Sequence, residues 1–376
     1  MHIKSILLVA TFVAFAVNAL SQETRPATNA PPRRAQSPPV MSPEILPDGG
    51  VTFRYRAPKA TEVKVSGQFG ADAAMTKNTQ GVWSVTVPSV AAGVYEYRFV
   101  VDGLSVIDPQ NSAIKPQRWP GSSILHVQAS PPAPWDLQDI PHGTIHEHTY
   151  KSKALDKFRR IIVYTPPGAE SSRLPVLYLA HGFSDNEATW TVHGKAHWIM
   201  DSLITSKKAV PMIIVMPDAH ALPPGAGGFG DYGPANSAAL CRELTEDIIP
   251  LVERTYKVAA KPQSRAFAGL SMGGHHALTV ALNHHDQFGW IGAFSSAPPP
   301  TNTVAAGLSN AKKVNDDLKL LWIACGEKDF LFKRNGEFTS LLKDKGIRCE
   351  YVETEGDHSW PVWRRYLTEF APKLFR

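Results

Sequence analysis

The segment Gly269-Leu270-Ser271-Met272-Gly273-Gly274 constrains this chain more tightly than any other. It follows the apolar run Ala266-Phe267-Ala268 and leads into a helix-like stretch, His275 to Asn283. A strand that turns into a helix within so few residues forces the residue at the apex into a strained backbone conformation. Side chains two positions before and two after the apex would collide, which accounts for Gly269 and Gly273. Ser271 is then held at the carboxyl end of a strand, next to a helix N-terminus. The bare G-x-S-x-G spacing is common by chance; the strand before it, the helix after it and the third glycine give it weight.

The rest of the C-terminal part supplies the sheet such a turn needs. From Lys157 onward, apolar runs such as Pro175 to Ala180, Met212 to Met216 and Leu320 to Cys325 alternate with amphipathic segments of helix length. Near-continuous hydrophobic strands suit a sheet covered on both faces, so the fold class is α/β with a mainly parallel central sheet, an α/β-hydrolase arrangement. Residues 51–128 read differently. Short alternating runs, such as Val82-Trp83-Ser84-Val85-Thr86-Val87 and Val94 to Val100, predict a small all-β sandwich of immunoglobulin type. The expected boundaries are a signal peptide at 1–21, a Pro-rich linker at 22–42, the sandwich at 43–129, a second linker at 130–144 and the hydrolase domain at 145–376.

The N-terminal signal rests on Lys4, the apolar run Ile6 to Val17 and the small residues that follow, and predicts a secreted or periplasmic product with no membrane attachment after cleavage. The net charge of +5 is spread over the chain without a basic stripe, which argues against nucleic acid as a partner. The three cysteines, Cys241, Cys325 and Cys349, cannot all pair within the chain, and none sits in a recognisable nucleophile motif.

A serine hydroxyl needs a base, and in this fold the chain order is Ser, then acid, then His. His358, after the strand-like Glu350-Tyr351-Val352, fits as general base, and Asp329, after the run ending at Cys325, fits as the residue that orients it. Asp218 and Asp357 are rivals for the acid: the first falls before the serine, and the second would have to fold back on its own neighbour. His275, His276, His284 and His285 are read as covering a helix surface. His193 and His197, four apart, could share a helix face as metal ligands, but no third ligand is apparent and no metal or other cofactor is expected. The oxyanion of a tetrahedral intermediate would be held by the N–H of Met272 and by an N–H from the His181-Gly182-Phe183 turn, with Phe183 the favoured donor.

Two resemblances follow from these motifs. Tyr95 to Gly103 followed by Asp108-Pro109-Gln110-Asn111 resembles carbohydrate-binding module family 48, which implies a glucan-binding or merely packing role and makes Trp83 and Trp119 the aromatics to test. His181-Gly182-Phe183 with Asp185 and Trp190, the Ser271 segment, Gly326-Glu327-Lys328-Asp329, and His358-Ser359-Trp360 with Trp363-Arg364 resemble the esterase D-like hydrolases close to carbohydrate esterase family 1. That resemblance implies a serine carboxylic-ester hydrolase acting on feruloylated or acetylated plant polysaccharide, with His181, Gly182, Trp190 and Trp360 in the substrate site. Enterochelin-type esterases and mycolyl-type acyltransferases share the same serine machinery. A reading of another class is a carbohydrate-binding protein with an inactive hydrolase scaffold. The Gly- and Pro-rich loop Ala221 to Tyr232 is expected to border the cleft.

Overall fold

A computed structural model describes residues 40–223 and 233–376. The expected signal peptide, nearly all of the first linker and most of the Ala221 to Tyr232 loop lie outside the described residues.

Residues Val40–Arg376 form one compact unit. Its N-terminal part packs a four-stranded sheet, containing Val51–Arg56 and Val82–Val87, against a five-stranded sheet containing Val63–Gly67, Gly93–Val101 and Ser123–Val127. Alternation puts Tyr97 and Phe99 inside, where they meet Phe53, Val65 and Trp83. Trp83 is a core residue whose indole N–H donates to the Ala57 carbonyl, whereas Trp119 is 60% exposed. Asp108 and Asn111 are structural: Tyr97 Oη donates to Asp108, and the Asn111 amide donates to Tyr97 Oη and to the Ile124 carbonyl. The sandwich also reaches into the stretch expected as linker, because Ser42 is buried and its hydroxyl accepts from Arg54 N–H.

The C-terminal part is built on an eight-stranded sheet in the order Thr144–Ser152, Lys157–Thr165, Ile213–Pro217, Val176–Ala180, Arg265–Leu270, Trp290–Phe294, Leu320–Gly326, Glu350–Thr354. The six strands from Ile213–Pro217 onward are parallel, and the first two are antiparallel additions at one edge. Buried clusters cover both faces, one with Phe267, Leu278 and Ile291, the other with Leu179, Phe294 and Phe370. No helix among the described residues is long and apolar enough to cross a membrane.

Segment 130–144 is tied down at both ends. Asp136 accepts from Ala129 and Ala133 N–H and pairs with His126, while Asp201 binds His142, Gly143 N–H and Tyr164 Oη. Sandwich and sheet domain also meet directly. Arg364, on the last long helix Trp360–Phe370, donates to the carbonyls of Val94 and His193, and Arg118 N–H donates to Ser184.

Candidate active site

Ser271 sits between the strand Arg265–Leu270 and the helix Met272–Asn283 with φ 53° and ψ −108°. That is the left-handed side of conformational space, costly for any residue with a Cβ. The turn is tolerable because the neighbouring glycines let backbones touch. A Cβ on Gly269 would come within 2.6 Å of Gly273, and one on Gly273 within 2.6 Å of the Ala180 carbonyl oxygen. Hydrogen bonds from Ser271 N–H to Phe294 O and from His275 N–H to Ser271 O hold the strained residue in place.

Parallel strands deliver their carboxyl ends, and the loops after them, to one edge of the sheet. Asp329 follows Leu320–Gly326 and His358 follows Glu350–Thr354, the next two strands beyond Trp290–Phe294. Their side chains meet: His358 Nδ1 lies 2.8 Å from Asp329 Oδ2, and His358 Nε2 lies 3.0 Å from Ser271 Oγ. An ionised carboxylate only accepts, so Nδ1 carries the proton and Nε2 presents its lone pair to the serine. Burial pushes the Asp329 carboxyl up, but hydrogen bonds from His358 and Leu331 N–H outweigh it and hold the group below its ordinary value. Phe330 and Trp363 flank the imidazole, with ring centroids 4.5 Å and 4.9 Å away.

The rival acids are committed elsewhere. Asp218 takes Arg159 at 2.9 Å and His220 N–H at 3.0 Å, and Asp357 accepts from its neighbour Ser359. The histidines require a correction. His275 and His276 do not coat a helix surface; every residue of the helix from Met272 to Leu282 is buried, because this helix runs through the middle of one covering layer. His276 Nδ1 meets Ser237 Oγ at 2.7 Å, and His275 Nδ1 meets the Ala297 carbonyl at 2.8 Å. His193 and His197 do not share a helix: His193 caps the short helix Thr189–Val192, and His197 belongs to Ala196–Thr205. Among the described residues no group of His, Cys, Asp or Glu side chains could hold a metal ion. All three cysteines are free, and burial pushes the thiols of Cys241 and Cys325 up to about 12, far from reactive.

A cavity of about 560 Å³ opens onto Ser271 and His358, a volume suited to a small organic group. Gly182, Phe183 and Trp360 line it; His181 and Trp190 do not. His181 sits behind it as a strut, Nδ1 donating to Gly182 O and Nε2 accepting from Ala219 N–H. Trp190 supports Trp360 edge-on at 4.9 Å and donates its indole N–H to Ala180 O. Met272 is the first residue of its helix, so its N–H has no carbonyl one turn back to bond. Gly182 lies against the serine, where a Cβ on it would come within 3.5 Å of Ser271 Cβ, and Phe183 follows it in the cavity wall.

The opposite wall was not anticipated from the sequence. Gln68, Glu96 and Lys115, all from the sandwich, line the same cavity. A trace of this exists in the strand Gly93–Val101: Val94 and Glu96 face away from the sandwich core, yet Val94 is fully buried, so something must cover that outer face. An apolar valine on an outward face is a weak signal in a sequence where exposed valines are common.

Comparison with known proteins places these features. The chain matches the family described as "Putative esterase" over residues 152–374 and carbohydrate-binding module 48 (isoamylase N-terminal domain) over residues 40–116. An endo-1,4-beta-xylanase/feruloyl esterase of Xylanibacter ruminicola is 30% identical over 96% of this chain, which spans only 49% of that relative's length. An acetyl esterase of Caldicellulosiruptor saccharolyticus is 24% identical over 59% of this chain and 95% of its own. Among solved structures, a CE1 ferulic acid esterase from the anaerobic fungus Anaeromyces mucronatus superposes with TM-score 0.55 at 26% identity, covering 64% of this chain and 93% of its own. The enterobactin esterase of Shigella flexneri shares the fold over 87% of this chain and 92% of its own, with TM-score 0.64 at 18% identity. The chain therefore belongs to the esterase family, with an α/β-hydrolase domain preceded by a domain that matches carbohydrate-binding module 48.

Proposed function

We propose that this protein is a secreted serine esterase that releases ferulate, or a related hydroxycinnamate, from plant polysaccharide through an acyl-enzyme. The observation that carries the reading is the continuous relay Asp329–His358–Ser271, with both hydrogen bonds at 3.0 Å or less. His358 Nε2 takes the Ser271 proton as Oγ attacks the ester carbonyl, and Asp329 fixes the imidazole tautomer and stabilises the imidazolium that forms. The amides of Met272 and Phe183 hold the oxyanion of the tetrahedral intermediate. Collapse expels the alcohol, which takes the proton back from His358. Water then enters, loses a proton to His358 and releases the free acid, restoring Ser271.

The aromatic acyl group is favoured by the walls: Phe330, Trp360 and Trp363 supply aromatic surface, with Leu270 beside them, in a cavity of about 560 Å³ that an acetyl group would leave largely empty. The xylanase/feruloyl esterase relative and the ferulic acid esterase structure support the same choice. Localisation outside the cytoplasm rests on the leader-like N-terminus.

The test is hydrolysis of methyl ferulate beside p-nitrophenyl acetate by the full chain and its Ser271→Ala variant. Ferulate release that vanishes in the variant supports the proposal. Ser271-dependent release of acetate alone moves the substrate to short acyl groups, and no Ser271-dependent release from either ester removes the hydrolase reading.

A further inference from the structure

Between the strand Val176–Ala180 and the short helix Thr189–Val192 runs the turn that carries Gly182 and Phe183. It passes so near the nucleophile that a Cβ on Gly182 would lie 2.5 Å from Leu270 Cδ1 and 3.5 Å from Ser271 Cβ. Ser184, in the same turn, has φ 68°, a left-handed conformation that costs any residue with a Cβ and persists only where its surroundings hold it. Inside the sheet domain, His181 Nδ1 at 2.8 Å and Asp185 N–H at 3.3 Å both bond the Gly182 carbonyl, which closes the turn without engaging Ser184.

The hold on Ser184 comes from the sandwich. A hairpin leaves that domain at Ile114 and returns at Ser123; these two residues form an antiparallel bridge, and Lys115 N–H donates to the Ser122 carbonyl at 3.0 Å. The outgoing arm is fastened to the turn at successive residues. Lys115 Nζ lies 3.1 Å from Asp185 Oδ1, and the Pro116 carbonyl accepts from Thr189 Oγ1 at 2.7 Å. Gln117 and Asp185 form a second antiparallel bridge, and Arg118 N–H donates to the Ser184 carbonyl at 2.8 Å. Lys115 and Asp185 are 5% and 3% exposed, so water and salt screen their attraction little.

We propose that this hairpin sets the oxyanion hole: Lys115 and the Arg118 amide are positioning groups that hold the Gly182–Asp185 turn where the Phe183 N–H meets the oxyanion formed at Ser271. This rests on the oxyanion assignment above and gives the sandwich a part in the chemical step that is independent of any affinity for sugar. Neither group makes or breaks a bond; both act through the turn.

Oxyanion donors engage fully only when the carbonyl becomes tetrahedral, so a displaced turn weakens the transition state more than it weakens ester binding. A hairpin that merely glued the domains together would, if weakened, leave fewer active molecules, each with unchanged affinity for a tetrahedral adduct. The experiment measures kcat and KM for methyl ferulate and p-nitrophenyl acetate in the full chain. It also measures the inhibition constant of phenylboronic acid, whose boron bonds Ser271 Oγ to form a tetrahedral adduct. The variants are Lys115→Met, which removes the charge, and Arg118→Pro, which removes the amide N–H that its partner Arg118→Ala keeps. With whichever ester the wild type cleaves, kcat should fall roughly 10- to 100-fold in Lys115→Met, and in Arg118→Pro relative to Arg118→Ala. KM should stay within about twofold, and the boronic acid's inhibition constant should rise at least about threefold. An unchanged kcat, a loss carried by KM, or a loss of kcat that leaves the boronic acid's affinity at its wild-type value overturns the inference and leaves the esterase reading standing. Should Lys115→Met fail to fold, the two Arg118 variants, which keep the Lys115–Asp185 pair, decide the matter. Absence of Ser271-dependent cleavage of either ester by the wild type overturns both.

Discussion

The two walls of the cavity are held in place by different physics. On the sheet-domain side, Ser271, Asp329 and His358 follow the carboxyl ends of three parallel strands of one sheet, so the sheet brings them within hydrogen-bonding distance. On the sandwich side, Glu96 and Lys115 reach the cavity only because two separately built domains dock, through the buried Lys115–Asp185 pair and the bond from the Arg364 guanidinium to the Val94 carbonyl. The first wall depends on backbone architecture and tolerates loss of a side chain. The second depends on side chains crossing an interface, so losing one of them threatens the wall itself.

That contrast orders the expected effects of perturbation. Ser271→Ala should lower the turnover number by roughly four to six orders of magnitude, since residues acting as one unit lose nearly everything together. Its melting temperature should stay close to wild type; a large drop would show that the elbow depends on the hydroxyl. Asp329→Asn should slow turnover by up to about four orders of magnitude, because an amide can hold the wrong imidazole tautomer. Retained activity in that variant would return Asp218 to consideration.

At Arg364 the sandwich wall should fail in stability before it fails in chemistry. Arg364 is 1% exposed and donates to the carbonyls of Val94 and His193. Arg364→Met strands both acceptors and should cost about 2–5 kcal/mol in urea unfolding. An unchanged midpoint would mean the two domains are joined by something other than this guanidinium.

A smaller effect separates the walls by pH. Asp329 is held below its ordinary value, so its folded-state pKa lies under the unfolded one of about 3.9. Its contribution to stability is therefore present above that value and lost as pH falls through the folded pKa. The stability gap between wild type and Asp329→Asn should shrink below about pH 4, measured by urea titrations at stepped pH. A gap that grows on acidification would contradict the assigned pairing. At the small end, Trp119→Ala should change stability by no more than about 0.5 kcal/mol, because the ring is 60% exposed, with the Arg118 guanidinium 5.8 Å from its centre. A larger loss would make Trp119 part of the docking surface.

The same contrast explains what could be read from the chain alone. Strand ends, the elbow glycines and the order Ser, Asp, His are local or strictly ordered along the sequence, and the structure brings Ser271, Asp329 and His358 into hydrogen-bonding contact. The family motifs put His181 and Trp190 in the substrate site, but a motif does not say which side of a loop faces the cavity, and neither residue lines it. The burial of His275 and His276 is not legible in the sequence, because a helix that is apolar on most faces hides its polar residues among small ones, and packing alone brings Ser237 and Ala297 to them. Glu96 and Lys115 look like solvated charges in their own strand and loop. Their place in the cavity wall arises from the neighbouring domain, which no local pattern encodes.

The central claim is that Ser271 is the nucleophile activated by His358. Intact-mass analysis of the full chain after treatment with a fluorophosphonate that phosphonylates activated serines tests it most directly. The account predicts one label per wild-type chain, mapped to Ser271, strongly slowed labelling in His358→Ala and none in Ser271→Ala. Stoichiometric labelling of Ser271→Ala, or wild-type labelling that proceeds equally fast without His358, would contradict it.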